Sequence, residues 1–184
     1  MPPPKKAAKK AAKKTAGHHH HQANDLRRAY EHMGRIAVLR HSLNSSAADA
    51  VAELTKLAQR KIKDGHNKDA ADLLRASEHL SFATFTGEVS GDNRISAELK
   101  HSITEHYDDL TRRADEHWGA EERRSSILAV LYQSSRDSAA KAFKARAYHQ
   151  ALEYARAAEA LAHVKLHGPL KLEKVHNDLQ LKSA

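Results

Sequence analysis

Alanine limits the fold of this chain more than any other feature of its sequence. Of the 184 residues, 33 are Ala and only nine are Trp, Tyr or Phe. Val and Ile, which favour strands, are few, and three of the four Pro residues are at positions 2 to 4. A core made from such side chains forms when helices approach one another closely. The sequence therefore predicts an all-α protein, a compact bundle of about six helices that is partly helical-hairpin repeat in character.

Apolar residues recur at helical spacing along most of the chain. The periodic stretches are about 24–43, 46–63, 67–84, 94–118, 120–146 and 148–166. Asn24 or Asp25 is a suitable N-cap for the first helix, and Gly65 a suitable end for the second. We expect the segment "TGEVSGDNR" (86–94) to be a loop and "SSRDS" (134–138) to be a place where the fifth helix could break. These patterns predict a disordered tail at 1–23, a helical domain at 24–167 and a short amphipathic segment at 168–184.

Positive charge is concentrated at the N-terminus. Residues 1–24 contain six Lys and no acidic residue, so they carry +6 of the formal net charge of +8. The segment "MPPPKKAAKKAAKKTAG" has its Lys pairs at a period of four and cannot bury a core, so we expect it to be disordered when free. In helical form it would present its Lys residues over about half of the helix circumference.

The composition of this tail resembles that of the Lys/Ala repeats in histone-H1-like and nucleoid-protein tails. The resemblance implies nonspecific binding of DNA or RNA by counterion release, with a log–log salt slope of about −5 if all six Lys take part. The alternatives are a solvated tail that aids solubility, or a nuclear-import signal. The residues predicted to bind nucleic acid or another polyanion are Lys5, Lys6, Lys9, Lys10, Lys13 and Lys14.

Several classes of protein are excluded or disfavoured by what the sequence lacks. The chain has no Cys, which excludes disulfides, thiolate zinc sites and Cys nucleophiles. It shows no apolar signal sequence and no run of about 18 apolar residues. We therefore expect a cytoplasmic protein, located at the nucleoid or, in a eukaryote, in the nucleus, with no membrane contact and no cofactor.

An internal similarity links two parts of the body at an offset of 81 residues. The segment "GHNKDAADLLRASEHL" (65–80) aligns with "RAYHQALEYARAAEAL" (146–161). The second copy resembles the second helix of a tetratricopeptide repeat, with small residues at Ala151 and Ala158 and an aromatic residue at Tyr148. By this resemblance, residues of about 46–84 and 126–166 form helical hairpins. The spacing is not 34 residues, so the resemblance implies hairpin packing and not a regular peptide-binding solenoid.

A second recurrence, of Arg, Glu and His, suggests a catalytic site. It appears as "RRAYEH" (27–32), "LRASEH" (74–79) and "RRADEH" (112–117). Helical ribonucleases of the higher-eukaryote and prokaryote nucleotide-binding (HEPN) class carry an Arg-x(4–6)-His motif, in which Arg holds phosphate and His does acid–base chemistry. Arg112 and His117 are the candidate pair, because a helical wheel places His117 towards the core. The three copies face different ways on their wheels, with His32 at a flank and Arg75 and His79 opposite the core.

Metal binding is the other chemical alternative. The run His18, His19, His20 and His21 could hold Zn, Ni or Cu weakly, or be the remnant of a purification tag. The Glu-x-x-His pairs Glu98/His101 and Glu173/His176 resemble those of ferritin-like di-iron bundles. The wheel, however, places Glu98, His101, Glu105 and Asp108 towards solvent. His106 and His117 are predicted to be hydrogen-bonded histidines at the edge of the core.

These observations favour a non-catalytic function. The predicted protein is a helical interaction module that binds a protein partner or self-associates through its body, and that a basic arm ties to nucleic acid or another polyanion. The alternatives are a HEPN-like ribonuclease and a His-rich metal-binding bundle.

Overall fold

The computed structural model describes residues 5–39, 43, 45–89, 95–119 and 126–165, with side chains for 21–39, 43, 47–86, 95–119 and 127–165. Within these ranges the chain forms six α-helices and no β-strand, which confirms the all-α prediction. None of the described helices is long and apolar enough to cross a bilayer. The helices are α1 (Lys5–Leu39), α2 (Ser45–Lys63), α3 (Asn67–Val89), α4 (Ala97–Gly119), α5 (Ser126–Lys144) and α6 (Tyr148–His163).

Most helix boundaries agree with the sequence pattern, and the differences have simple causes. α3 continues to Val89, into the segment expected to be a loop, because a single Gly such as Gly87 disfavours a helix without ending it. α5 runs unbroken through residues 134–138. α1 begins at Lys5 rather than at the expected N-cap, because Ala and Lys are strong helix formers and no Pro follows position 4. The predicted C-terminal segment, 168–184, lies outside the described residues.

Two helical hairpins, α2–α3 and α5–α6, have the same turn at equivalent positions. Gly65, with φ of +78°, and Arg146, with φ of +63°, both adopt the left-handed conformation. The amide of the next residue reaches back five positions in each hairpin, from His66 to the Lys61 carbonyl (2.8 Å) and from Ala147 to the Ala142 carbonyl (2.9 Å). These bonds satisfy carbonyl groups at the ends of α2 and α5.

The 81-residue repeat extends over the whole described bundle. α5 and α6 begin 81 residues after α2 and α3, with no insertion, and α4 corresponds to the part of α1 that ends at Val38. α3 packs against α1, α2 and α6, and α6 packs against α3, α4 and α5. The bundle therefore consists of two equivalent three-helix units that meet where α3 contacts α6.

Small residues make this central contact possible. Both central helices bury alanines completely, among them Ala76 of α3 and Ala157 of α6. Ser77 and its counterpart Ala158 are also fully buried, and the Ser77 hydroxyl donates to the Leu73 carbonyl one turn earlier (3.0 Å). Short side chains let two helices pack closely, as the abundance of Ala predicts.

Candidate functional site

Three glutamates of the central helices lie almost buried, and each contacts both His and Arg. The side chains of Glu78, Glu153 and Glu159 are 8%, 14% and 11% exposed. A buried carboxylate is stable only when it is paired and hydrogen-bonded. We call these residues and their partners the three glutamate clusters, because they hold most of the buried charge of the bundle.

The Glu78 cluster joins α1 to α3. Arg35 donates from Nε to Glu78 Oε1 (2.7 Å), and His32 Nδ1 lies 2.5 Å from Oε2. Burial alone would raise the pKa of Glu78, but the hydrogen bonds from His32 and Arg35 outweigh it and hold the pKa below its ordinary value. Glu78 is therefore an ionised tie between two helices.

The Glu153 cluster joins α3 to α6. His79 Nδ1 lies 2.7 Å from Glu153 Oε2, and Arg156 donates to Oε1 at 2.5 Å. Burial opposes ionisation here too, yet the contacts with His79 and Arg156 keep the pKa of Glu153 below its ordinary value. The Arg156 guanidinium also lies 3.4 Å from His106 Nε2 of α4.

The Glu159 cluster joins three helices and is looser. Arg75 of α3 approaches Glu159 Oε2 at 3.7 Å, and Arg113 of α4 approaches Oε1 at 3.4 Å. His163 Nε2 is 3.9 Å from the same carboxylate. Glu159 is the repeat counterpart of Glu78, and Arg113 is the counterpart of His32, so the two units use one plan with a different cation.

A pair of imidazole rings lies beside the Glu159 cluster. The ring centroids of His117 and His163 are 4.0 Å apart and the rings are tilted by 47°. Burial, followed by the proximity of His117, lowers the pKa of His163 below its ordinary value. His163 is the last residue of α6, and His117 is close to the end of α4, so the pair lies at one end of the bundle.

The structure gives the recurring Arg-Glu-His segments a structural explanation. His32 of the first segment binds Glu78 of the second, and His79 of the second binds Glu153. The prediction that Arg75 and His79 point away from the core is wrong, since both contact α6. The wheel assumed a single buried face, whereas α3 has neighbouring helices on several sides.

The proposed catalytic pair is not brought together as a site. Arg112 donates to Asp109 (2.6 Å) and Glu116 (2.7 Å) on the exposed face of α4. The prediction that His106 and His117 face the core is also wrong, because both are exposed. A wheel gives direction around the helix axis but does not show whether another element covers that stretch. Arg113, one residue later, is the arginine that reaches a buried carboxylate.

The metal-site candidates have no ligand set in the described part of the chain. There, no group of three or more His, Asp or Glu side chains is placed to hold a metal ion. Glu98, His101, Glu105 and Asp108 are exposed, as predicted. His21 is exposed, and the side chains of His18, His19 and His20 lie outside the described set, as do Glu173 and His176.

The basic arm belongs to α1. Lys5, Lys6, Lys9, Lys10, Lys13 and Lys14 all occupy positions in the first part of this helix, although their side chains lie outside the described set. At 100° per residue the six positions fall within about 180° of the helix circumference and span about 14 Å along its axis. No protein-family model matches the chain, and neither the curated proteins nor the solved structures show a significant similarity to it.

Proposed function

We propose that this protein is a non-catalytic helical module that binds nucleic acid or another polyanion through its N-terminal arm and another protein, or itself, through its body. The observation that carries this proposal is the continuity of α1 from Lys5 to Leu39. Because one helix includes both the Lys positions and the contact with α3, the basic strip has a fixed direction relative to the body. Such a strip suits a phosphate backbone, which presents charge at regular intervals.

The state of the charged groups in the body supports a binding role rather than catalysis. The clusters of Glu78 and Glu153 are hydrogen-bonded on both oxygens, and their low pKa values keep them ionised at neutral pH. A general acid or base needs a pKa near the working pH. These carboxylates instead act as ties between helices.

The arm is tested by measuring DNA and RNA binding of the full chain and of a variant that lacks residues 2–17. We expect salt-sensitive binding with a log–log slope of about −5 for the full chain and loss of that binding in the variant. A matched control changes six exposed body lysines to Gln, which removes the same charge elsewhere and should leave most of the binding intact. These are Lys56, Lys63, Lys68, Lys100, Lys141 and Lys144. Unchanged binding by the deletion variant, with an unchanged helical circular-dichroism signal, would show that the arm is not the contact.

The ribonuclease alternative makes a separate, simple prediction. RNA should be cleaved by the purified protein and the cleavage abolished in His117→Ala. Persistent cleavage in that variant would assign the activity to another group or a contaminant. The metal alternative is checked by elemental analysis of protein prepared without a purification tag.

A further inference from the structure

The outward side of α1 carries an apolar surface. α1 packs against α3 on one side, and Tyr30, Gly34 and Val38 follow one another at intervals of four residues on the other. Tyr30 is 58% and Val38 is 78% exposed, more than any other large apolar side chain in the described part of the chain. We call these three positions, with Ala37 beside them, the outer face of α1.

Gly34 of this face has no explanation within one copy of the protein. A Cβ atom at this position would meet nothing within 4 Å, and Gly is among the least favourable residues inside a helix. The repeat offers a comparison, since the counterpart of Gly34 in α4 is Asp115. That residue accepts hydrogen bonds from Tyr132 (2.6 Å) and Arg136 (2.6 Å) of α5. The second unit therefore uses this position for a contact between helices, and in α1 it is open.

We propose that the outer face of α1 binds the same face of a second copy of this chain, in an antiparallel crossing centred on Gly34. The proposal rests on the self-association included in the proposed function and names its surface and partner. At such a crossing the absence of side chains at the two Gly34 residues lets the helix backbones approach closely.

The residues around Gly34 are complementary to themselves in this arrangement. A twofold axis at Gly34 places a residue four positions before it opposite the residue four positions after it. Tyr30 of one copy then packs on Val38 of the second copy, twice. Glu31 and Arg35 lie on the same flank of the helix, so Glu31 of each copy comes beside Arg35 of the other. Their side chains are 49% and 48% exposed, which leaves them accessible for this contact.

Charge also determines the direction of the crossing. A parallel pair of α1 helices would bring two arms, with six Lys each, side by side. In the antiparallel pair the arms leave from opposite ends, each beginning about 30 Å from Gly34 at a rise of 1.5 Å per residue. The contact involves a single helix from each copy and is smaller than the roughly 1,200 Å² of a standard interface, so we expect a dimer that dissociates on dilution.

The test is sedimentation equilibrium of the full chain without nucleic acid, at concentrations up to about 1 mM. We expect a concentration-dependent dimer for the natural sequence and a monomer for Gly34→Gln, with the same helical content by circular dichroism. Ala52→Gln, the same kind of change at an exposed position of α2, should dimerise normally. A natural chain that is monomeric throughout, or a Gly34→Gln variant that dimerises normally, would overturn the proposal.

Orientation has its own readout, because the chain has no Cys. Tyr30→Cys mixed with Val38→Cys should form the mixed disulfide at least tenfold faster than either variant forms a disulfide with itself. Faster formation of the two homodimeric disulfides would contradict the antiparallel crossing. The arm deletion leaves the outer face intact and should still dimerise, so a failure of nucleic-acid binding and a failure of dimerisation are distinguished.

Discussion

Arg146 occupies a backbone conformation that is unfavourable for every residue except Gly. Its φ of +63° brings Cβ close to the backbone, at a cost of roughly 1–2 kcal/mol. Gly65 provides the same turn in the first hairpin at no such cost. The two positions are separated by 81 residues, so the chain contains its own reference for the substitution.

Arg146→Gly should stabilise the protein. The relief of the left-handed strain exceeds the extra backbone entropy of Gly in the unfolded chain, and we expect a gain of about 0.5–1 kcal/mol in the free energy of unfolding. Urea denaturation followed by circular dichroism measures it. Gly65→Ala is the reciprocal change and should destabilise by about 1 kcal/mol. If both variants lowered the stability equally, the turn would depend on an interaction of the Arg146 side chain.

Glu78 should contribute to stability far more than a glutamate of the surface. Glu78→Gln leaves His32 and Arg35 with a weaker partner in a nearly buried position, and we expect a loss of about 2 kcal/mol in the free energy of unfolding. The matched control is Glu116→Gln, which removes an ion pair with Arg112 in which both side chains are about 60% exposed, and should change stability by less than about 0.5 kcal/mol. Equal effects in the two variants would mean that burial of the Glu78 cluster adds nothing.

At the scale of elements, the contact between α3 and α6 determines how the two units assemble. Its small, fully buried residues could be anticipated from the Ala content, but their pairing could not. A hydrophobic wheel identifies the buried side of one helix, and α3 and α6 are each surrounded by three others. For this reason the wheel located Glu98 and Asp108 correctly on the open side of α4 and misplaced Arg75 and His79.

A larger side chain at the centre of this contact should disrupt it. Ala157 is completely buried, so Ala157→Leu must displace neighbouring residues, and we expect a loss of about 2 kcal/mol or more in the free energy of unfolding. Ala52→Leu, at an exposed position of α2, should cost less than about 0.5 kcal/mol. Thermal denaturation of both variants provides the comparison. A tolerated leucine at position 157 would indicate that the two helices are not closely packed there.

At the scale of the whole molecule, the charge clusters predict that stability falls with acidification in two stages. His163 has a lowered pKa in the folded protein, so the unfolded chain binds the proton more readily as the pH falls below the ordinary value of 6.5. Glu78 and Glu153 also have lowered pKa values, so the stability they provide above the ordinary value of 4.5 is lost below it. The first stage therefore begins near pH 6.5 and the second near pH 4.5.

Urea denaturation between pH 8 and pH 4 measures both stages. His163→Gln should remove the first stage and leave the second, whereas the same substitution at the exposed His149 should change neither. The fluorescence of Trp118, which stacks on Tyr132 beside His117, reports locally on this end of the bundle. A first stage that persists in His163→Gln would assign it to another group.

The sequence by itself determined the helical class, most of the helix boundaries, the concentration of charge in the arm and the 81-residue similarity. These are consequences of local propensity and of short-range periodicity, which depend on neighbours along the chain. The tertiary structure alone decided that Glu78 and Glu159 are tied to preceding helices, that His117 stacks on His163 and that Gly34 lies open. Such features depend on which helices meet, and contacts between residues 46 or more positions apart leave no periodic signal in the sequence.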